Sequence, residues 1–142
     1  MTDEEKKFIE TGKRLLKKTP MLSRILQYYV KEVNEYSEEE VRRFINNISL
    51  SNSLIVKQEG PKLKYDVKCD LDIPHKGRVK IYIYIYTREE IEDIDFLTTI
   101  NKLIVLLDLM DSHEDDGYEV LSNYSIWFIK SKEGLPESVI VC

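Results

Sequence analysis

Five acidic side chains gather near the end of a predicted helix: Asp108, Asp111, Glu114, Asp115 and Asp116. Carboxylates at this density suit a divalent cation or a basic partner, and at a helix C-terminus they oppose the macrodipole unless a positive group offsets them. A calcium loop counted from Asp111 needs glutamate at its twelfth position, where this chain has Ser122. We therefore expect a solvated face or a basic partner here, and no metal.

Three aspartates, Asp66, Asp70 and Asp72, alternate with apolar residues in a predicted strand. The pattern resembles a metal-dependent nuclease core, whose next strand adds an acidic residue and a lysine to hold the metal and activate water. The next strand here, residues 79–86, has no carboxylate. We interpret the aspartates as the wet face of a half-buried strand.

Other catalytic signatures are missing from the sequence. It contains no glycine-rich phosphate loop, no G-x-S-x-G and no H-E-x-x-H motif. His75 and His113 have no cysteine or serine placed to form a nucleophile pair, and Cys69 and Cys142 form no C-x-x-C motif. We therefore expect no enzyme activity and no cofactor.

Three tyrosines, Tyr82, Tyr84 and Tyr86, share one face of one predicted strand, with successive rings about 6.8 Å apart. Tyrosine suits interfaces because its ring is apolar and its hydroxyl polar. We predict a contact surface for a dimer or a partner protein, or a platform for stacked bases. In the alternative interpretation, the N-terminal helices cover this face and the rings belong to the core.

A long helix is predicted over residues 87–111, beginning at a capping box formed by Thr87 and Glu90. Val105, Leu106 and Leu109 widen its apolar surface beyond a single stripe. Such a helix is either sandwiched within the domain or in contact with a second subunit. We predict that these three residues and the three tyrosines form a protein-binding surface.

Basic side chains concentrate in the N-terminal helices: Lys13, Arg14, Lys17, Lys18, Arg42 and Arg43. Such clusters are mostly solvated helix faces, but they also suit phosphate groups. Residues 91–142 carry 3 basic and 11 acidic side chains, which argues against contact of that region with nucleic acid or an anionic membrane. Nucleic-acid binding through the basic helices, aided by the tyrosines, is the alternative function.

The predicted fold class is α+β in one domain, residues 1–142. Residues 1–49 show three helices with start signals at Thr2, Thr19 and Ser37. In residues 50–142, alternation predicts strands at 54–56, 63–73 and 79–86, then the long helix, then strands at 118–129 and 139–141. Short turns between strands predict a largely antiparallel five-stranded sheet. The element order is a β-meander, the long helix and a β-hairpin, and we expect the long helix to pack on the sheet.

The order of β-meander, long helix and hairpin resembles that of small acidic secretion chaperones. The resemblance is one of element order alone. It implies a dimer that binds extended segments of client proteins.

The composition, 42% hydrophobic and 33% charged, indicates a globular chain. Its longest apolar run within a helix, residues 103–107, is too short to cross a bilayer, and no signal-peptide segment follows the N-terminus. We therefore expect a cytoplasmic protein without membrane contact. Sixteen isoleucines and no alanine indicate an AT-rich genome, for example a viral one.

These features together predict a non-catalytic protein-binding module, an adaptor, chaperone-like or inhibitor protein that forms a homodimer.

Overall fold

The computed structural model describes residues 3–50, 65–86, 94–111, 117–130 and 136–141. These ranges contain four α-helices: α1 (Asp3–Lys17), α2 (Thr19–Tyr29), α3 (Glu38–Phe44) and α4 (Ile94–Asp111). A 3₁₀ turn, Lys31–Val33, lies between α2 and α3.

The start of α3 shows how the local sequence fixes a helix boundary. The Ser37 hydroxyl accepts a hydrogen bond from the Glu40 amide at 3.1 Å, and the Ser37 amide donates to the Glu40 carboxylate at 3.1 Å. These two bonds form a capping box and confirm the start signal predicted at Ser37. Thr19 was predicted as the start signal of α2, but it does not cap the helix: Thr19 is the first helical residue, and Lys18 occupies the cap position without a side-chain hydrogen bond. The predicted start at Thr2 lies outside the described residues.

The third helix is shorter than its apolar pattern predicts. It ends at Phe44, and strand β1 follows at once over Ile45–Leu50. Ile45 and Ile48, which continue the apolar spacing of α3, reach the core from this strand. Asn47 adopts a φ of 53°, a left-handed value that interrupts any right-handed helix. The strand predicted at residues 54–56 lies outside the described residues.

Within the described residues, five strands form one mixed sheet in the order β1-β2-β3-β4-β5. Strand β2 covers Val67–Ile73, β3 Gly77–Tyr86, β4 Val120–Lys130 and β5 Pro136–Val141. Neighbouring strands are antiparallel except β3 and β4, which are parallel. Three of the four pairs are antiparallel, so the predicted largely antiparallel sheet is confirmed. The single parallel pair was not predicted, because we considered only the short turns. Helix α4 lies between β3 and β4 in the chain and serves as the crossover that a parallel pair needs.

Helices α1, α2 and α3 cover one face of the sheet with aliphatic side chains. The odd-numbered residues of β2 and β3 are buried in this cluster: Val67, Cys69, Leu71, Ile73, Val79, Ile81, Ile83 and Ile85. Leu22 and Leu26 of α2 and Val41 of α3 pack there without solvent exposure. Gly12 permits the close approach of α1, because a Cβ atom there would lie 2.7 Å from Ile85 Cδ1.

Helix α4 covers the opposite face, which is aromatic. The second hydrophobic cluster consists of Tyr82, Tyr84, Tyr86, Leu97, Val105 and Trp127. The sheet therefore lies between two helical layers, and the predicted α+β class is confirmed. None of the described helices is both long enough and apolar enough to span a bilayer.

Candidate functional site

The tyrosine face lies inside the molecule. Tyr82, Tyr84 and Tyr86 are fully buried in the cluster that α4 completes. The structure thus corrects our expectation of an exposed surface, because these rings reach a partner or a nucleic-acid base only if α4 moves away. The cover also differs from our alternative interpretation, since it comes from α4 and not from the N-terminal helices. Burial raises the pKa of Tyr82 and of Tyr84 above the ordinary phenol value.

The rings pack as in a protein interior. Tyr84 and Tyr86 are stacked with centroids 5.8 Å apart, and Tyr86 meets Trp127 edge to face at 5.3 Å. The Tyr86 hydroxyl donates to Asn101 Oδ1 at 3.3 Å. Three buried polar atoms of this aromatic cluster and of the α4 residue that contacts it have no hydrogen-bond partner among the described residues: Tyr84 Oη, Asn101 Nδ2 and Trp127 Nε1. The interface between α4 and the sheet is therefore well packed but incompletely hydrogen-bonded.

A polar contact anchors the C-terminal half of α4 to the sheet. Asp108 Oδ2 lies 2.8 Å from Lys68 Nζ and accepts a hydrogen bond from the Tyr82 hydroxyl at 2.6 Å. Burial acts to raise the pKa of Asp108, but the hydrogen bonds from Lys68 and Tyr82 outweigh it and lower this pKa below the ordinary aspartate value. Of the predicted acidic cluster, Asp108 thus serves the fold, while residues 112–116 lie outside the described ranges.

The outer face of α4 is apolar and open to solvent. We call it the apolar stripe, and its members are Phe96, Ile100, Leu103, Leu106, Leu107 and Met110. Five of them are about half exposed or more: Phe96 by 48%, Leu103 by 51%, Leu106 by 54%, Leu107 by 61% and Met110 by 64%. Monomeric proteins rarely expose a large contiguous apolar surface, and such surfaces often mark interaction sites.

Five members of the apolar stripe have heptad spacing: Phe96, Ile100, Leu103, Leu107 and Met110. They follow one another at intervals of four, three, four and three residues, which is the seam spacing of packed helix pairs. The inner face of the same helix is less apolar, because it carries Asn101 and Asp108 among its sheet-facing residues. Helix α4 is thus amphipathic in an unusual sense, with its more apolar side turned to solvent.

The residues of α4 that we predicted as contact residues divide between the two faces. Val105 is 4% exposed and packs on the tyrosines, and Leu109 is half-buried against the same cluster. Leu106 alone lies in the apolar stripe. The sequence carried a signal for the other members, the heptad spacing, which we did not separate from the core-facing positions of the helix.

The three aspartates near and in β2 are buried, so the predicted wet strand face is wrong. Asp66, Asp70 and Asp72 are 4%, 1% and 9% exposed. Burial of Asp70 and Asp72 is possible because β3 places cations opposite them: Asp70 pairs in register with Lys80, and Asp72 with Arg78. We call Asp70, Asp72, Arg78 and Lys80 the charge network.

Arg78 is the centre of the charge network. Its guanidinium contacts Asp72 through two hydrogen bonds, of 2.6 Å and 3.0 Å, and approaches Asp70 to 3.4 Å. Lys80 Nζ lies 3.6 Å from Asp70 Oδ1. Burial acts to raise the pKa of Asp72, but hydrogen bonds from Arg78 and Asn46 hold it below the ordinary value.

The charge network differs from a hydrolytic metal site in its charge. Lys80 does lie beside Asp70, as nuclease-type chemistry requires of the next strand. However, the residue opposite Asp72 is Arg78, a cation where that chemistry needs a carboxylate. In the described part of the chain, no three His, Cys, Asp or Glu side chains are grouped to hold a metal ion. The network is thus arranged to neutralise buried charge across two strands.

Comparison with known proteins gives no relative. Neither the protein-family models, nor the curated proteins, nor the solved structures yield a match to this chain. Its function is therefore inferred from its own side chains.

The basic residues of the N-terminal helices are also divided. Lys13 is 7% exposed and its Nζ lies 3.6 Å from Asp66 Oδ1, so it serves the fold. The others are exposed on α1, on α3 or just after α1: Arg14, Lys17, Lys18, Arg42 and Arg43. The buried tyrosines lie on the opposite face of the sheet from α1, so the two parts of the predicted nucleic-acid surface are not brought together.

Proposed function

We propose that this chain is a non-catalytic protein-binding module of the adaptor, chaperone-like or inhibitor class, and that its contact surface is the apolar stripe. The observation that carries the proposal is the exposure of five large apolar side chains along one face of α4. We also propose that it acts in the cytoplasm and that its gene comes from an AT-rich genome, such as a viral one.

The exposure has a physical cost that binding would remove. Each square ångström of apolar surface taken out of water stabilises a complex by about 25 cal/mol before the cost of association is subtracted. The same helix presents Asn101 and Asp108 to the sheet. A fold that needed α4 only as a cover for the sheet would gain more from the opposite distribution, with the apolar residues inside.

The charge network supports a structural role and no catalytic one. Its carboxylates and cations pair with each other across β2 and β3, at distances of 2.6–3.6 Å. A general acid or base needs contact with a substrate, and these side chains are at most 9% exposed.

The test is site-specific photo-cross-linking in living cells. A photoreactive amino acid replaces Leu106 or Leu107 in the stripe, and Lys102 in a control chain, since Lys102 is exposed on the same helix but outside the stripe. We expect cross-linked protein from both stripe positions and none from Lys102. The proposal would be overturned if neither Leu106 nor Leu107 gave a cross-link, or if Lys102 gave as much cross-linked protein as the stripe positions.

The second candidate function is nucleic-acid binding by the exposed cations of the helical layer. The exposure of Arg14, Lys17 and Lys18 around the end of α1 favours it. It predicts an affinity that falls steeply with salt and weakens when these three charges are reversed. A labelled single-stranded or double-stranded oligonucleotide that shows no binding at low salt would dismiss it.

A further inference from the structure

We infer that the occupant of the apolar stripe is a second copy of this chain, so that two α4 helices pack against each other across a two-fold axis. This inference rests on the proposed function and names the partner. Its basis is the area, the spacing and the charge of the stripe.

The exposed area meets the requirement of a small dimer. Five stripe side chains with exposures of 48–64% offer on the order of 500 Å² per copy, and two copies together offer on the order of 1,000 Å², where specific interfaces begin. Ile100 of the stripe and Ile104 beside the stripe are half-buried and would add to this area. The stripe therefore does not need a larger partner to be covered.

The spacing of the stripe is self-complementary. In a seam of alternating three- and four-residue intervals, each side chain inserts between four residues of the facing helix. A two-fold axis places the same patch on both partners, so a patch that forms such knobs also supplies the holes. Leu103 is the central member of the five heptad positions, which makes it the residue closest to the middle of the seam.

The charge distribution permits two copies to meet. The chain carries a net charge of −5, which opposes self-association on most of its surface. The seam itself is neutral: Thr99 and Ile104 flank it, and the charged residues of α4 with described side chains, Asp95, Lys102 and Asp108, lie outside it. Asp108 is turned inward to Lys68. As far as the described side chains of α4 show, two stripes therefore meet without like-charge contact.

The test measures the mass of the purified chain in solution, by light scattering and sedimentation over a wide range of protein concentrations. We expect twice the chain mass of 16.8 kDa. Leu103→Glu should give the single-chain mass, because it places a carboxylate in the desolvated seam and raises the dimer dissociation constant by roughly a hundredfold or more. Lys102→Glu places the same carboxylate one residue away, outside the seam, and should remain dimeric.

The variants remain informative if folding is checked. Leu103 is 51% exposed in the single chain, so we expect Leu103→Glu to keep the circular dichroism spectrum of the wild type. A wild-type chain with single-chain mass at the highest concentration, or a Leu103→Glu chain that dimerises like the wild type, would overturn the inference.

The two failures are distinguishable. If the wild-type chain has single-chain mass but Leu106 still cross-links to a different protein in cells, the second copy is excluded and the protein-binding function stands. If the chain has single-chain mass and the stripe gives no cross-link, both proposals fall.

Discussion

The two faces of the sheet are covered by helices in different ways. Beneath α1, α2 and α3 the contact is aliphatic, and residues such as Leu22, Leu26 and Ile83 are fully buried. Beneath α4 the contact is aromatic and polar, with the Lys68–Asp108 ion pair, and three polar atoms have no partner among the described residues. The first face is a completed core, whereas the second holds a helix whose outer side is still uncovered.

This difference indicates which side of the sheet contributes most to the stability of the fold and which side mainly positions α4. Aliphatic side chains that fill an interior stabilise a fold without direction or specificity. Buried ion pairs and tyrosine hydroxyls are costly unless fully paired, so they fix geometry more than they add stability. We therefore assign most of the folding stability to the aliphatic contacts of α1, α2 and α3, and the orientation of α4 to the polar contacts on the other face.

The largest expected effect comes from the charge network. Arg78→Met leaves Asp70 and Asp72 buried without their guanidinium and should cost about 3–5 kcal/mol of unfolding free energy. The matched control is Arg43→Met, since Arg43 is 69% exposed and pairs only at the surface with Glu39. That change should cost less than about 0.5 kcal/mol. Urea unfolding measures both, and equal losses would contradict the assignment of the network as buried.

A leucine pair separates the completed core from the uncovered side. Leu26→Ala should cost about 2–5 kcal/mol, because Leu26 is fully buried and a cavity remains. Leu106→Ala, the same change in the apolar stripe, should cost under about 1 kcal/mol. Both are measured by urea unfolding of the Leu103→Glu chain, which removes the proposed dimer from the comparison. A loss at Leu106 as large as that at Leu26 would show that the stripe is internal.

The sequence predicted the elements of the fold better than their arrangement. Alternation over β2 and β3 and the capping box of α3 are local signals, and both were confirmed. The early end of α3 at Phe44 was missed because its apolar spacing continues into β1, where Ile45 and Ile48 fit either a helix or a strand. The parallel pair was missed because the path of α4 across the sheet is a tertiary property that no single segment encodes.

The site was predictable only in part. Polar residues at every second position of β2 indicated a wet face, and that expectation failed because Arg78 and Lys80 on the neighbouring strand neutralise them. Burial of a charge depends on its partner across the sheet, which the sequence of one strand does not contain. The excess apolar surface of α4 was visible in the sequence, but which of its residues face solvent became clear only once the tyrosines occupied its inner side.

Two adjacent tyrosines test the polar contacts beneath α4. Tyr82→Phe removes a hydrogen bond to the charged Asp108 and should cost about 1.5–3 kcal/mol. Tyr84→Phe removes a buried hydroxyl that has no partner in the described part of the chain, and should change stability by less than about 0.5 kcal/mol or increase it. Each variant is the control for the other, because both rings lie on the same face of β3. Thermal or urea unfolding measures both changes. An equal loss of unfolding free energy in the two variants would contradict the assignment of a stabilising hydrogen bond to Tyr82 alone.

The smallest expected effect is a pH dependence that belongs to the α4 side. The pKa of Asp108 is lower in the folded chain than its unfolded value of about 3.9, so the folded chain binds fewer protons between these two values and stability rises with pH there. The stabilisation by Asp108 is therefore complete above the unfolded pKa and is lost as the pH falls through the lower, folded pKa.

Two variants test this pH dependence. Asp108→Asn removes the titrating group, and Lys68→Met removes the ammonium that lowers its pKa. Urea unfolding at one protein concentration, from neutral pH down to about pH 3, should therefore show a shallower loss of stability in both variants than in the wild type. The slope that remains includes Asp72 of the charge network, whose pKa is also lowered. If both variants lose stability with acid as steeply as the wild type, the Asp108 contact does not hold α4 to the sheet.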